Sequence, residues 1–159
     1  MIRPTIDKDG VALKEWLSEE GILAYFPMCN ESEVDDSIRL WLSFVPKRAA
    51  FTYEKDGKPA GMAVIYLQPF EKHKHIALFA IIVDPRFRGQ GIGSKLIRHL
   101  EKTGKGDLGL EILHLEVYEG NPAYDLYRRL GYKEYGKQKR FLREAPNKYS
   151  TKVCMQKEL

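Results

Sequence analysis

Only two cysteines, Cys29 and Cys154, occur in the 159 residues. They lie at opposite ends of the chain, without the paired spacing of a zinc site or a redox motif. Both read as free structural thiols, and no metal centre is expected. Long hydrophobic runs are also missing. The longest, Ile76 to Val83, is far short of the roughly 20 residues that cross a bilayer, and Met1-Ile2-Arg3-Pro4 lacks the apolar stretch of a signal peptide. A cytoplasmic protein with no membrane contact is the simplest reading. Charge of one sign is scarce: 26 basic side chains stand against 22 acidic ones, spread along the chain, so no nucleic-acid partner is expected. Repeats, low-complexity tracts and linker-like segments are absent, which leaves residues 1–159 as one expected domain.

What is present is an ordinary folding composition, 43% hydrophobic and 30% charged, in a chain able to bury roughly 70% of its unfolded surface. After a short first strand, Asp9 is placed to cap a helix whose Leu13, Trp16 and Leu17 share a face, and Gly21 to end it. Ser32 and Asp35 resemble a capping box for a second helix with the stripe Val34, Ile38, Trp41, Leu42 and Val45. Phe51 to Glu54 and Ala60 to Leu67 read as a hairpin turned at Asp56-Gly57. Ile76 to Val83, apolar at every position, suits a central strand covered on both faces. A helix begins near Gly91 with Ile92, Leu96, Ile97 and Leu100 inward, and Glu111 to Tyr118 alternates as a strand. Asn121 and Pro122 start another helix that Gly131 closes, and Tyr149 to Met155 alternates as a last strand. The pattern is α/β, with helices early and a sheet through the middle and end.

The most informative stretch runs from Val83 to Ser94, where a strand end passes through a glycine-rich turn into a helix. Gly89, Gly91 and Gly93 let backbone N–H groups approach a ligand, and a helix start adds unpaired donors and a positive dipole end. The geometry implies an anion site that suits a phosphate. The spacing G-x-G-x-G is not the dinucleotide fingerprint, and no Gly-Lys-Ser/Thr follows as a P-loop requires. Arg88-x-x-Gly91-x-Gly93, with Val83-x-Pro85 before it, resembles the R/Q-x-x-G-x-G/A pyrophosphate loop of the Gcn5-related N-acetyltransferase (GNAT) family. Asn121-Pro122-Ala123-Tyr124-Asp125-Leu126-Tyr127, continuing to Gly131-Tyr132, resembles that family's N-x-A-x-x-L-Y-x-x-x-G-F/Y segment. The likeness covers about residues 48 to 136.

The resemblance implies a mostly antiparallel central sheet with two splayed strands, flanked by helices. It implies an N-acetyltransferase in which an amine attacks acetyl-CoA directly within a ternary complex. It places the pyrophosphate on the backbone of Arg88, Gly89, Gln90, Gly91, Ile92, Gly93 and Ser94, and the pantetheine arm beside Ile82 and Val83, with Asn121 orienting the ligand. The arm would pair with backbone left free where the strands ending at Val83 and Tyr118 part, and a free N–H there would stabilise an oxyanion. Tyr127 occupies the position of the acid that protonates the departing thiolate; without the resemblance it reads as a core tyrosine. Some members take the amine's proton with a glutamate at the position of His75, and His73, Glu71 and a water chain are comparable here.

The acceptor is expected near the N-terminal helices, where Glu19, Glu20, Glu31, Glu33, Asp35 and Asp36 could attract a cationic amine or serve only as helix-start acids. A small-molecule amine is favoured slightly over a protein or peptide amine. A non-catalytic acyl-CoA-binding module is the alternative of another class. Monomer and homodimer both remain open.

Overall fold

Asp56 and Gly57 take positive φ angles of 50° and 74°, the conformation that reverses a two-residue hairpin without splaying its strands. A computed structural model describing residues Met1–Leu159 places this turn between β2 (Ala50–Lys55) and β3 (Lys58–Tyr66). Before it come β1 (Ile2–Pro4), α1 (Gly10–Leu17) and α2 (Glu31–Leu42); after it come β4 (Ile76–Val83), α3 (Ile92–Gly106), β5 (Ile112–Tyr118), α4 (Ala123–Arg129), β6 (Lys133–Ala145) and β7 (Lys148–Glu158). The seven strands form one sheet in the order β1-β2-β3-β4-β5-β7-β6. Every neighbouring pair is antiparallel except β4 with β5. No helix is long and apolar enough to cross a membrane.

Residue parity assigns the faces. On β3, Gly61 leaves room for Ile92 and Leu96 of α3: a Cβ built there would lie 3.1 and 3.2 Å from their side chains. Phe79 of β4 packs edge-on against Tyr127 of α4, ring centroids 6.1 Å apart. Helices α3 and α4 therefore cover one face. Tyr66 points the other way, against Phe44 just beyond α2, on the side that α1 and α2 cover. Leu96, Ile97, Leu100, Leu113 and Val64 are fully buried, and this sequestered apolar surface drives folding.

The structure differs from the sequence reading at both early helix starts. Asp9 does not cap α1 through its side chain. Its carboxylate accepts from Arg3 Nη1 and Nη2 at 2.7 and 3.0 Å, from Ile6 N at 3.0 Å and from the Thr52 hydroxyl at 2.9 Å, because a cation and two further donors outweigh one helix end. Asn30, not Ser32, caps α2, its Oδ1 accepting from Glu33 N at 2.9 Å, while Glu33 Oε2 accepts from Cys29 N at 2.8 Å. The 13-residue strand β6 has no counterpart among the expected elements. It is an edge strand, mostly exposed, and its charged residues protect the edge rather than alternate toward a core.

The Asp9 cluster fastens β1 and the approach to α1 onto β2. Burial would raise the Asp9 carboxyl, but Arg3, Ile6 N–H and Thr52 together hold it below its ordinary value. Its stabilisation is therefore complete above the unfolded carboxyl pKa of about 3.9 and fades as pH falls through that value toward the lower folded one. Asp9→Ala should cost about 3 kcal/mol at pH 7, read by urea unfolding. Between pH 6 and pH 3 the wild type should lose more stability than the variant.

Candidate active site

Only Ile76, Ala77 and Leu78 of β4 pair with β5, opposite Ile112, Leu113 and His114. Beyond Leu78 the two strands part, yet each keeps its outer partner: β4 stays registered with β3 as far as Val83, and β5 with β7 as far as Tyr118. Alternate residues on the facing edges turn N–H and C=O groups into the gap with no strand to satisfy them. The expected splay is present between the expected strands.

The gap opens into a cleft of about 850 Å³. At one end lies the glycine turn. Gly89 and Gly91 have φ angles of 73° and 75° and stand clear of other atoms, so the left-handed backbone itself requires glycine. Gly93 is needed for a different reason, since a Cβ there would sit 3.2 Å from Leu126 Cδ2 of α4. Its absence lets the starts of α3 and α4 close over the gap. Gly91 precedes the first turn of α3 without a side-chain cap, which leaves that turn's N–H groups free to meet an anion.

The turn is anchored from below. Asp84 is fully buried and accepts from Arg86 N at 2.9 Å and Arg86 Nη2 at 2.7 Å. The Arg86 guanidinium holds the Asp84 carboxyl below its ordinary value against the opposing effect of burial, and Arg86 also reaches Glu15 of α1 at 3.4 Å. The turn is thus tied to the helix on the opposite face. Arg88 is exposed, and its Nε donates to the Val83 carbonyl at 3.2 Å, which holds a cation at the exit of β4.

Ile82, Val83, Arg88, Gly89, Gly91, Ile92, Gly93, Ser94, Asn121 and Tyr127 all line the cleft. Gln90 and His75 do not, and neither do the other base candidates His73 and Glu71, both exposed before β4. Gln90 points away, its Oε1 accepting from Lys55 Nζ of β2 at 2.6 Å. His75 is exposed at the start of β4, about 26 Å from Val83 at the rise of an extended strand, and its carbonyl accepts from Glu111 N and Ile112 N. Asn121 serves as a cap, its Oδ1 accepting from Ala123 N at 2.9 Å, and its amide nitrogen remains available to the cleft. Tyr127 is 8% exposed, and burial alone pushes its phenol above the ordinary value. It stays protonated and able to donate.

Three polar groups of the cleft escaped the sequence reading. Glu116 is the one carboxylate on its wall. It projects from the open half of β5 and pairs with Lys152 of β7 at 2.9 Å. The signal was in the alternation of β5: with Leu113, Leu115 and Val117 turned inward, Glu116 had to face the other way. Arg129 of α4 adds a second cation to the cleft, and Tyr66 lines the far side. Burial raises the Tyr66 phenol. The arrangement can hold an anion at one end, a strand-like ligand in the gap, and an acid and a base on its walls.

A family model described as the acetyltransferase (GNAT) family matches residues 11–132. The L-amino acid N-acetyltransferase AaaT of Escherichia coli is 30% identical over 87 residues, 54% of this chain and 54% of that protein. The streptothricin acetyltransferase of Streptomyces lavendulae is 29% identical over 128 residues, 78% of this chain and 64% of its own length. The chain thus spans little more than half the length of these curated relatives. In fold it is similar to yncA of Salmonella typhimurium, solved with its cofactor acetyl-CoA, at a TM-score of 0.85 and 18% identity over 99% of this chain and 92% of that one.

If the turn binds phosphates through backbone N–H groups, inorganic pyrophosphate should raise the melting temperature of the wild type. Gly91→Val, forced into left-handed backbone, should lose about 1–2 kcal/mol of stability and the pyrophosphate shift with it, as thermal unfolding would show.

Proposed function

The chain belongs to the acetyltransferase (GNAT) family, and from that premise we propose that it transfers the acetyl group of acetyl-CoA to the primary amine of a small molecule by direct attack. The observation that carries the reading is the gap between β4 and β5 ending at a glycine turn. Backbone N–H groups from Gly89 to Ser94, with Arg88 and Arg129 nearby, receive the pyrophosphate of acetyl-CoA. Beside Ile82 and Val83, the unpaired edges accept the pantetheine amides as a missing strand would. The residues present fit the ligand in charge and in hydrogen-bonding pattern.

The chain's own groups then divide the chemistry. Glu116 accepts the proton of the attacking amine, taking the role that His75, outside the cleft, cannot fill from its place at the foot of β4. A free backbone N–H in the gap stabilises the oxygen as the carbonyl turns tetrahedral. Tyr127 donates its proton to the sulfur as the C–S bond breaks, so the products are an N-acetyl amine and CoA thiol. No side chain becomes acetylated. Both relatives described above are named for small acceptors, an amino acid and streptothricin, which is compatible with a small-molecule amine.

Calorimetric titration should detect acetyl-CoA binding with no heat from ATP or NAD, and Arg88→Ala should weaken it about tenfold or more. Absence of acetyl-CoA binding would remove the reading. Tyr127→Phe should lower turnover by about 10²-fold or more with acetyl-CoA affinity retained; an unchanged rate would end the acid role. Because burial raises the Tyr127 phenol above about 10, it remains protonated through pH 9. The pH–rate profile should therefore show no falling limb from this group in that range.

A further inference from the structure

The two halves of the cleft differ in chemistry, and the half away from the glycine turn bears on which amine enters. Its wall is built from Tyr25, Phe26, Met28, Leu40, Trp41 and Tyr66. Two of these, Tyr25 and Leu40, are large apolar side chains left 41% and 51% exposed where they border the cleft. Apolar surface left open in a concave site marks a place where apolar ligand atoms are held. Against this wall Glu116 is the single carboxylate, and no other acidic residue lines the cleft.

The six acidic residues of the N-terminal region supply no second anionic subsite. None of them lines the cleft. Glu31 and Asp35 pair with Lys14 at 3.1 and 2.9 Å, and Asp36 pairs with Arg39. Glu33 is held by Cys29 N at the start of α2. A ligand with two or more ammonium groups would meet one carboxylate and find no second one on the wall to pair with its remaining charge, while its polar nitrogens forgo the apolar burial that the wall offers.

Resting on the acetyl-transfer reading, we propose that the acceptor is a monoamine whose nitrogen meets Glu116 and whose body is apolar, aromatic or aliphatic, and that polyamines are excluded. Leu40, at the rim, is a specificity residue that touches the body of the acceptor and takes no part in proton transfer.

The test measures CoA thiol release from acetyl-CoA by the full chain at pH 8 with 2-phenylethylamine, hexylamine, ethanolamine and spermidine, acetyl-CoA binding being checked in parallel. The apolar monoamines should exceed both ethanolamine and spermidine in kcat/KM by about 100-fold or more, since each methylene in an apolar pocket is worth about tenfold. Leu40→Asp, at an exposed position, should bind acetyl-CoA as the wild type does while narrowing the gap between spermidine and hexylamine at least tenfold. Acetylation of spermidine or ethanolamine at the rate of the apolar amines would overturn the inference and leave acetyl transfer standing. So would an unchanged preference in Leu40→Asp with acetyl-CoA binding intact. Failure to bind acetyl-CoA, with no thiol release, would remove both the inference and the function on which it rests.

Discussion

Parallel pairing between β4 and β5 stops after three residues, and the architecture around the site depends on that interruption. An unmade stretch of ladder inside a sheet leaves backbone donors and acceptors without partners, at roughly 1–3 kcal/mol for each group that water cannot reach. The fold tolerates this because β3 and β7 hold the outer edges of both strands in register. It also places both helix starts at the opening, where Gly93 permits contact with Leu126. A ligand with amides at strand-like intervals would restore what the sheet lacks.

Electrostatics divides the cleft along its length. Arg88 and Arg129, with the first turn of α3, make one end attractive to phosphates; Glu116 gives the other half its only negative charge. Tyr127 also lines the cleft, its phenol kept neutral by burial. As the proposed acid, a neutral donor would avoid the desolvation that a permanently charged group would suffer in the same place. Lys152, paired with Glu116, also lies 3.9 Å over the ring of Phe141, so β7 and β6 help hold the carboxylate at the wall.

The glycine turn is positioned as much from beneath as by its own backbone. Asp84 and Arg86 join the end of β4 to Glu15 of α1, and Asp9 joins the chain before α1 to β1 and β2. Two buried carboxylates, each matched to an arginine, thereby tie the glycine turn and the first strands to the approach and body of α1. Neither was legible from the sequence, where Asp9 read as a helix cap. An aspartate's partners are chosen by which donors the folded chain brings within 3 Å, and Thr52 reaches Asp9 only because β1 lies beside β2.

By itself the sequence determined the features that are properties of a residue or of its near neighbours. The hairpin at Asp56-Gly57, the central strand Ile76–Val83, the glycine turn with Arg88, the Asn121 cap and the place of Tyr127 on α4 all follow from positive φ, apolar runs, side-chain capping and helical spacing. Their grouping around one gap agrees with the spacing of the motifs. Tertiary structure alone decided which polar side chains share the cleft. The sequence offered His75, His73 and Glu71 as bases and passed over Glu116, but the chain holds His75 at the paired end of the sheet, just before β4, and β5 carries Glu116 to the open end. Strand β6, charged and without alternation, could be recognised as a strand only once β7 offered it a ladder. Local chemistry specifies the elements, whereas strand order and the point at which pairing ends are long-range properties, and those two choose the residues that meet.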